Sequence, residues 1–277
     1  MHYKILFTDI DGTLLNDAKT VSPSVLSAMK DYTDKGGRIV LSSGRPLPGI
    51  LQVIEKLQLD TANLYIIAYN GAMVYDFSNK KTLWEKRVPL STVRTILDLA
   101  HENHIHCQTY TDDCILSEFD TPELHKYLTH IHMPYMIKEN ATDYLATCEN
   151  SMPFKLLAIT LDDREALANF AKVLEPVVGD HIHTFFSAYS YLECCMKEAS
   201  KGNAVRFLCE HLGIPVTDTV AAGDAANDIS MLEAAGVSFA MANGTEDVKK
   251  VATYTTKNTN DEDGMLEIFE LLLRENV

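Results

Sequence analysis

The chain has no surplus of positive charge. Its 24 Lys and Arg stand against 39 Asp and Glu, giving a net charge of −15 over 277 residues. Phosphate backbones are bound by excess cations, so this balance argues against nucleic acid as a main partner. A small phosphorylated ligand is not excluded, because a few local cations and a metal can reverse the sign inside one site. Paired cysteines are missing too. Cys107, Cys114, Cys148, Cys194, Cys195 and Cys209 are scattered, with no CxxC. A chain this long needs no disulfide staples, so they read as buried, reduced thiols. No apolar run reaches the length of a membrane span. Asp9 and Asp11 stand where a signal peptide would place its apolar segment. The expectation is a cytoplasmic, soluble protein, a monomer or weak homo-oligomer, without a membrane partner. Internal repeats and low-complexity linkers are also lacking. The ten His include 101–107 (HENHIHC), 130–132 and 181–183 (both HIH), but no HExxH or Cys/His framework organises them for zinc. They read as packed or solvated.

What is present is an alternation of strand and helix. The apolar run Ile5-Leu6-Phe7 reads as a buried strand. Ser22 and Pro23 open a helix with Val25, Leu26, Met29 and Tyr32 on one face, and Gly36-Gly37 close it. RIVLSSG predicts a second strand, Ile50, Leu51, Ile54 and Leu57 a second helix, and LYIIAYNGA a third strand. Strands joined by helices of this length imply right-handed parallel βαβ units. The rhythm breaks near residue 73 with a hairpin pattern, and 84–190 mixes strands and helices. The alternation returns with KGNAVRFLCEHLG, TVAAGD and NDISMLEAAG. The expected fold is α/β: a doubly wound, Rossmann-like parallel-sheet core (1–83 and 191–277) with an inserted α+β cap domain (84–190).

In such a sheet, ligands bind outside the carboxyl ends of the strands. Four polar segments gather there: TDIDGT (8–13), LSSGR (41–45), SKGN (200–203) and GDAAND (223–228). Their inventory fits phosphoryl transfer. Asp9 can attack phosphorus, and Asp11 can act as acid and then base if the strand breaks at Gly12. Asp9 and a phosphate dianion repel each other, which a hard divalent cation would relieve. Mg²⁺ on Asp9, Asp11, Asp224 and Asp228 is the expectation, with Asp228 acting through metal waters. Lys201, the Ser43 hydroxyl and the backbone N–H groups after Asp9 and at Gly44 would bind the phosphoryl oxygens. Arg45 and Asn70 lie beside the site as candidate substrate contacts.

This set resembles the haloacid dehalogenase superfamily of phosphatases. DIDGTL matches its first motif and SSGR the second, with Ser43 where Thr is more usual. SKGNAV matches the Lys motif and GDAANDISML the last, with Ala226 where many members carry Glu. YNGA (69–72), AMANGTEDVKKVA (240–252) and TNDEDGM (259–265) are similar to further blocks of the Cof-like branch, whose α/β cap lies between the second and third motifs. The resemblance implies a Mg²⁺-dependent phosphatase in which Asp9, the Ile10 backbone, Asp11, Ser43, Gly44, Lys201, Asp224 and Asn227 bind metal or phosphate. The expected activity is hydrolysis of a small phosphomonoester, a sugar phosphate or phosphorylated cofactor precursor, through an aspartyl phosphate under a closing cap. The alternatives are a phosphomutase or other phosphotransferase, and a non-catalytic metabolite sensor on the same scaffold.

Overall fold

The computed structural model describes residues 3–59, 63–129, 131 and 133–274. His130 and His132, considered above as metal candidates, lie outside the described residues. The chain forms two units, 1–85 with 199–277, and 86–198. It begins with β1 (Ile5–Asp9), α1 (Pro23–Asp34), β2 (Arg38–Ser42), α2 (Leu47–Leu57), β3 (Leu64–Ala68), β4 (Met73–Asp76) and β5 (Lys81–Glu85). The second unit contains α3 (Leu90–Glu102), β6 (His106–Tyr110), β7 (Ile115–Ser117), α4 (Pro122–Leu128), β8 (Tyr135–Ile137), α5 (Ala141–Ala146), β9 (Lys155–Ile159), α6 (Arg164–Val178), β10 (Ile182–Ala188) and β11 (Tyr191–Met196). The first unit resumes with α7 (Lys201–Leu212), β12 (Thr219–Gly223), α8 (Ile229–Ala234), β13 (Val237–Ala240), α9 (Glu246–Val251), β14 (Tyr254–Thr255) and α10 (Met265–Leu273).

The first unit's sheet runs β14-β13-β12-β1-β2-β3-β4-β5. Its first six strands are parallel, and β4 and β5 add an antiparallel hairpin at one edge. A parallel sheet is covered on both faces, so its central strands are largely apolar runs. Ile5, Leu6 and Phe7 are fully buried, as are Val220, Ala221 and Ala222. Local signals set the helix ends. The Ser22 hydroxyl accepts from Val25 N at 3.2 Å, a cap worth about 1 kcal/mol. Ser200 does the same for Asn203 N at 3.1 Å, and Gly213 ends α7 at φ +64°. From β1 the chain winds one way through β2 and β3, then returns to β12 on the other side of β1. The order therefore reverses between β1 and β12, and a crevice outside their carboxyl ends is the topological consequence. Asp9 ends β1, and Asp224 follows β12.

The second unit has its own sheet, β10-β11-β9-β6-β7-β8, antiparallel except for the β7–β8 pair. Helices α3 and α6 pack on one face through Val93, Ile96, Leu167 and Phe170 against Leu156, Ala158 and Leu192. The boundaries differ from those expected. Trp84 and Glu85 complete β5 of the first unit, and 191–198 stay with the second. The reason is pairing: β11 is hydrogen-bonded between β9 and β10, so it cannot begin the parallel core. The expected third strand is also shorter. It stops at Ala68, and Tyr69–Gly71 forms a tight left-handed turn. Among the described residues, no helix is long and apolar enough to cross a membrane.

Candidate active site

Lys201, the first residue of α7, is 1% exposed, and its ammonium makes three hydrogen bonds. It donates to Asp9 Oδ1 at 2.6 Å, to Asp228 Oδ1 at 2.6 Å and to the Ser42 carbonyl at 3.0 Å. Three segments far apart in sequence thus meet on one nitrogen. Asp228 is wholly buried, and its other oxygen accepts from the backbone N–H of Asp224 and Ala225, both at 3.0 Å. It thereby fixes the loop that carries Asp224. Gly223 makes this possible, since a Cβ there would lie 2.5 Å from Asp228 Cβ. The Asp224 carboxylate is oriented from the opposite side, where the Thr13 hydroxyl donates to its Oδ1 at 2.7 Å. Gly12, at φ +82°, brings the turn after β1 against Asp224 Oδ2, where an added Cβ would sit at 2.6 Å.

Asp9, Asp224 and Asp228 each offer an oxygen within 4.8 Å of the others. Three carboxylates facing one ammonium leave two negative charges in excess. Burial, and then the neighbouring carboxylates, raise Asp9 well above the usual carboxylate range despite Lys201. Burial and Asp228 push Asp224 up to about 6. Burial opposes the charge on Lys201, but Asp228 and Asp9 together outweigh it and hold its pKa above the ordinary value. An oxygen-only donor set with this charge excess fits a hard divalent cation.

Asp11 is not part of that cluster. Its carboxylate is turned to Arg45, which donates from Nε at 2.6 Å and Nη2 at 2.8 Å, and to Lys19 Nζ at 2.8 Å. Burial raises its pKa, but these cations prevail and hold it below the usual carboxylate value. The expected metal set of Asp9, Asp11, Asp224 and Asp228 is thus gathered without Asp11, because Lys19 on its own loop and Arg45 after β2 compete for it. The other expected residues converge more closely. Ser43 is buried, and its hydroxyl accepts from Arg45 N at 3.1 Å. Gly44 packs against the Asn70 side chain, and Asn227 Nδ2 donates to Asn70 Oδ1 at 3.1 Å. The Ile10 side chain is buried, and its carbonyl accepts from Leu15 N at 2.8 Å.

Two residues emerged only in three dimensions. Asn243 Nδ2 donates to the Gly12 carbonyl at 2.8 Å, and Asn260 Nδ2 to that of Leu15 at 3.0 Å. Asn260 N in turn donates to Asn243 Oδ1 at 3.1 Å. The C-terminal blocks around 243 and 260 therefore brace the turn that follows Asp9. Their one sequence signal was the resemblance of those blocks.

Comparison with known proteins agrees with this geometry. Residues 6–269 match the family model of haloacid dehalogenase-like hydrolases. The pyridoxal phosphate phosphatase YbhA of Escherichia coli is 29% identical over 266 residues, 94% of this chain and 96% of that protein. The 5-amino-6-(5-phospho-D-ribitylamino)uracil phosphatase YitU of Bacillus subtilis is 26% identical over 265 residues, 94% of each. The crystal structure of a haloacid dehalogenase-like hydrolase from Bacteroides thetaiotaomicron superposes with a TM-score of 0.86 at 30% identity, covering 98% of this chain and 100% of that one. With a doubly wound sheet, carboxylates and a lysine meeting at its switch point, and a family match over nearly its whole length, the chain belongs to the haloacid dehalogenase-like hydrolases.

Proposed function

We propose that this hydrolase is a phosphatase that cleaves small phosphorylated metabolites through an aspartyl phosphate on Asp9. The observation that carries the reading is the Lys201 ammonium held between Asp9 and Asp228, beside Asp224, at the switch point of the sheet. Asp9 Oδ1 is occupied by Lys201, which leaves Oδ2 as the attacking atom. It forms a bond to phosphorus as the ester P–O bond breaks, and the departing alkoxide takes a proton from Asp11, which must first part from Arg45 and Lys19 and take up that proton from solvent. A water then attacks the same phosphorus and gives its proton to Asp11, and the bond to Asp9 breaks to release inorganic phosphate. For both transfers Asp11 must leave its pair with Arg45. Lys201 keeps Asp9 oriented and works against the burial that disfavours its charge, and it can reach a phosphoryl oxygen only by exchanging one of its three present partners. The Ile10 backbone, Ser43, Gly44 and Asn227 are further groups for those oxygens.

Asp9 and Asp224 would hold a divalent cation, Mg²⁺ by donor chemistry, with Asp228 bracing them from behind. The bound cation would offset the repulsion between Asp9 and the incoming phosphate. The relatives' names include pyridoxal phosphate and a phosphoribitylaminouracil, both phosphomonoesters of small metabolites. Phosphorylated cofactors, their precursors and sugar phosphates are therefore the substrate class we infer.

The test is phosphate release from p-nitrophenyl phosphate, pyridoxal 5′-phosphate and a panel of sugar phosphates, with Mg²⁺ and with EDTA. Asp9→Asn is expected to abolish turnover. A variant retaining a near-wild-type rate rules Asp9 out as nucleophile, and indifference to EDTA removes the metal.

A further inference from the structure

The YNGA segment has no part in the steps above, yet its backbone is unusual. Tyr69, Asn70 and Gly71 have successive φ angles of +52°, +55° and +98°. A left-handed conformation crowds the Cβ of a residue such as Tyr. It persists only where the surroundings over-determine it, and such places concentrate at functional sites.

Here the surroundings are the phosphate-facing segments themselves. Tyr69 N donates to the Arg45 carbonyl and Asn70 N to that of Ser43, both at 3.0 Å. Gly71 lies so close to the backbone of Ser200 and Lys201 that no side chain fits between them. A Cβ on Gly44 would meet Asn70 Oδ1 at 2.9 Å. That same Oδ1 accepts from Asn227 Nδ2. Asn70 is only 3% exposed, and its Nδ2 is buried without a hydrogen-bond partner among the described residues. A buried amide donor without an acceptor is costly and calls for a reason.

We propose that Asn70 both positions the phosphate cradle and binds its oxyanion. Its backbone holds the Ser43–Gly44 turn, its Oδ1 aims Asn227, and its Nδ2 is a donor for the oxyanion that this cradle binds. The assignment rests on the phosphatase reading and extends it to a residue outside the four catalytic motifs.

Asn70→Gly tests it, because glycine keeps the left-handed backbone and removes only the amide. The probe is inorganic phosphate with Mg²⁺, read as the phosphate concentration giving half of the maximal thermal stabilisation. In Asn70→Gly this concentration is expected to rise about tenfold, the scale of one lost hydrogen bond to a charged group. In Asn70→Gly/Asn227→Ala the loss is expected to fall short of the product of the two single losses, since one residue acts through the other. Unchanged phosphate binding in Asn70→Gly, or single losses that simply multiply, would overturn the assignment. A wild-type protein that phosphate does not stabilise would overturn the phosphatase reading, and this inference with it.

Discussion

Asp228→Asn is the smallest change that should disable the centre of the first unit, and the structure says by how much. Asp228 has no exposed surface, and its two oxygens face different donors: the Lys201 ammonium on one side, and the N–H groups of Asp224 and Ala225 on the other. An amide has only one oxygen. If that oxygen serves Lys201, the NH₂ points at two backbone donors; turned round, the NH₂ points at the ammonium. Neither rotamer escapes a donor facing a donor, and Lys201 loses one of its two buried counter-charges in both. Breaking a buried pair in this way costs about 3–5 kcal/mol. At a typical urea dependence of about 2 kcal/mol per molar, the midpoint should fall by about 1.5–2.5 M. The only tryptophan reports on the right unit. Trp84 lies in β5 and packs against Phe207 of α7, the helix that begins with Lys201, with ring centroids 6.0 Å apart. Urea unfolding followed by its fluorescence, in EDTA so that no cation intervenes, reads the first unit. A midpoint within about 0.3 M of wild type at an unchanged slope would refute the claim that Asp228 holds this cluster together.

Two further predictions concern the turn after β1 and the second unit. Gly12→Ala introduces a Cβ 2.6 Å from Asp224 Oδ2 at a φ of +82°, so it should displace the carboxylate and weaken the apparent Mg²⁺ affinity about tenfold in a thermal-shift titration; unaltered affinity would show that this contact does not shape the site. His106, buried in β6 between Thr121 and Gln108, has its pKa lowered by burial. As pH falls below about 6.5 the unfolded chain takes up a proton that the folded unit refuses, so stability declines from there down to the folded pKa and is level below it. Hydrogen exchange of β6 and β9 at pH 7.5 and 5.5 measures the loss, which His106→Asn should remove; an equal loss in the variant assigns it to another group.

Much of the fold was legible because its causes are local. Apolar runs, the Ser22 and Ser200 caps, and the glycines after α1 and α7 mark the βα units directly. The hairpin β4–β5 showed in its alternation around a polar turn. The errors share one cause. The segment 191–196 has a strand pattern whichever sheet it joins, and only its pairing with β9 and β10 assigns it to the second unit. LYIIAYNGA reads as one strand because nothing within it shows that the start of α7 presses on Gly71. The short β8 and α5 carry too few residues for a period to emerge.

The candidate site divides in the same way. By itself, the sequence determined which chemistry is available: paired carboxylates, a lysine, hydroxyls and glycine-rich turns, each at the end of a recognisable strand or the start of a helix. That follows because type and spacing are properties of the chain. Tertiary structure alone decided which of these groups meet. It placed Lys201 between Asp9 and Asp228, gave Asp11 to Arg45 and Lys19, and set Asn70 against Gly44 and Asn227. A side chain's partner depends on loops that become neighbours only when the sheet forms, and charge or hydrogen bonding then selects among them over distances of a few ångströms.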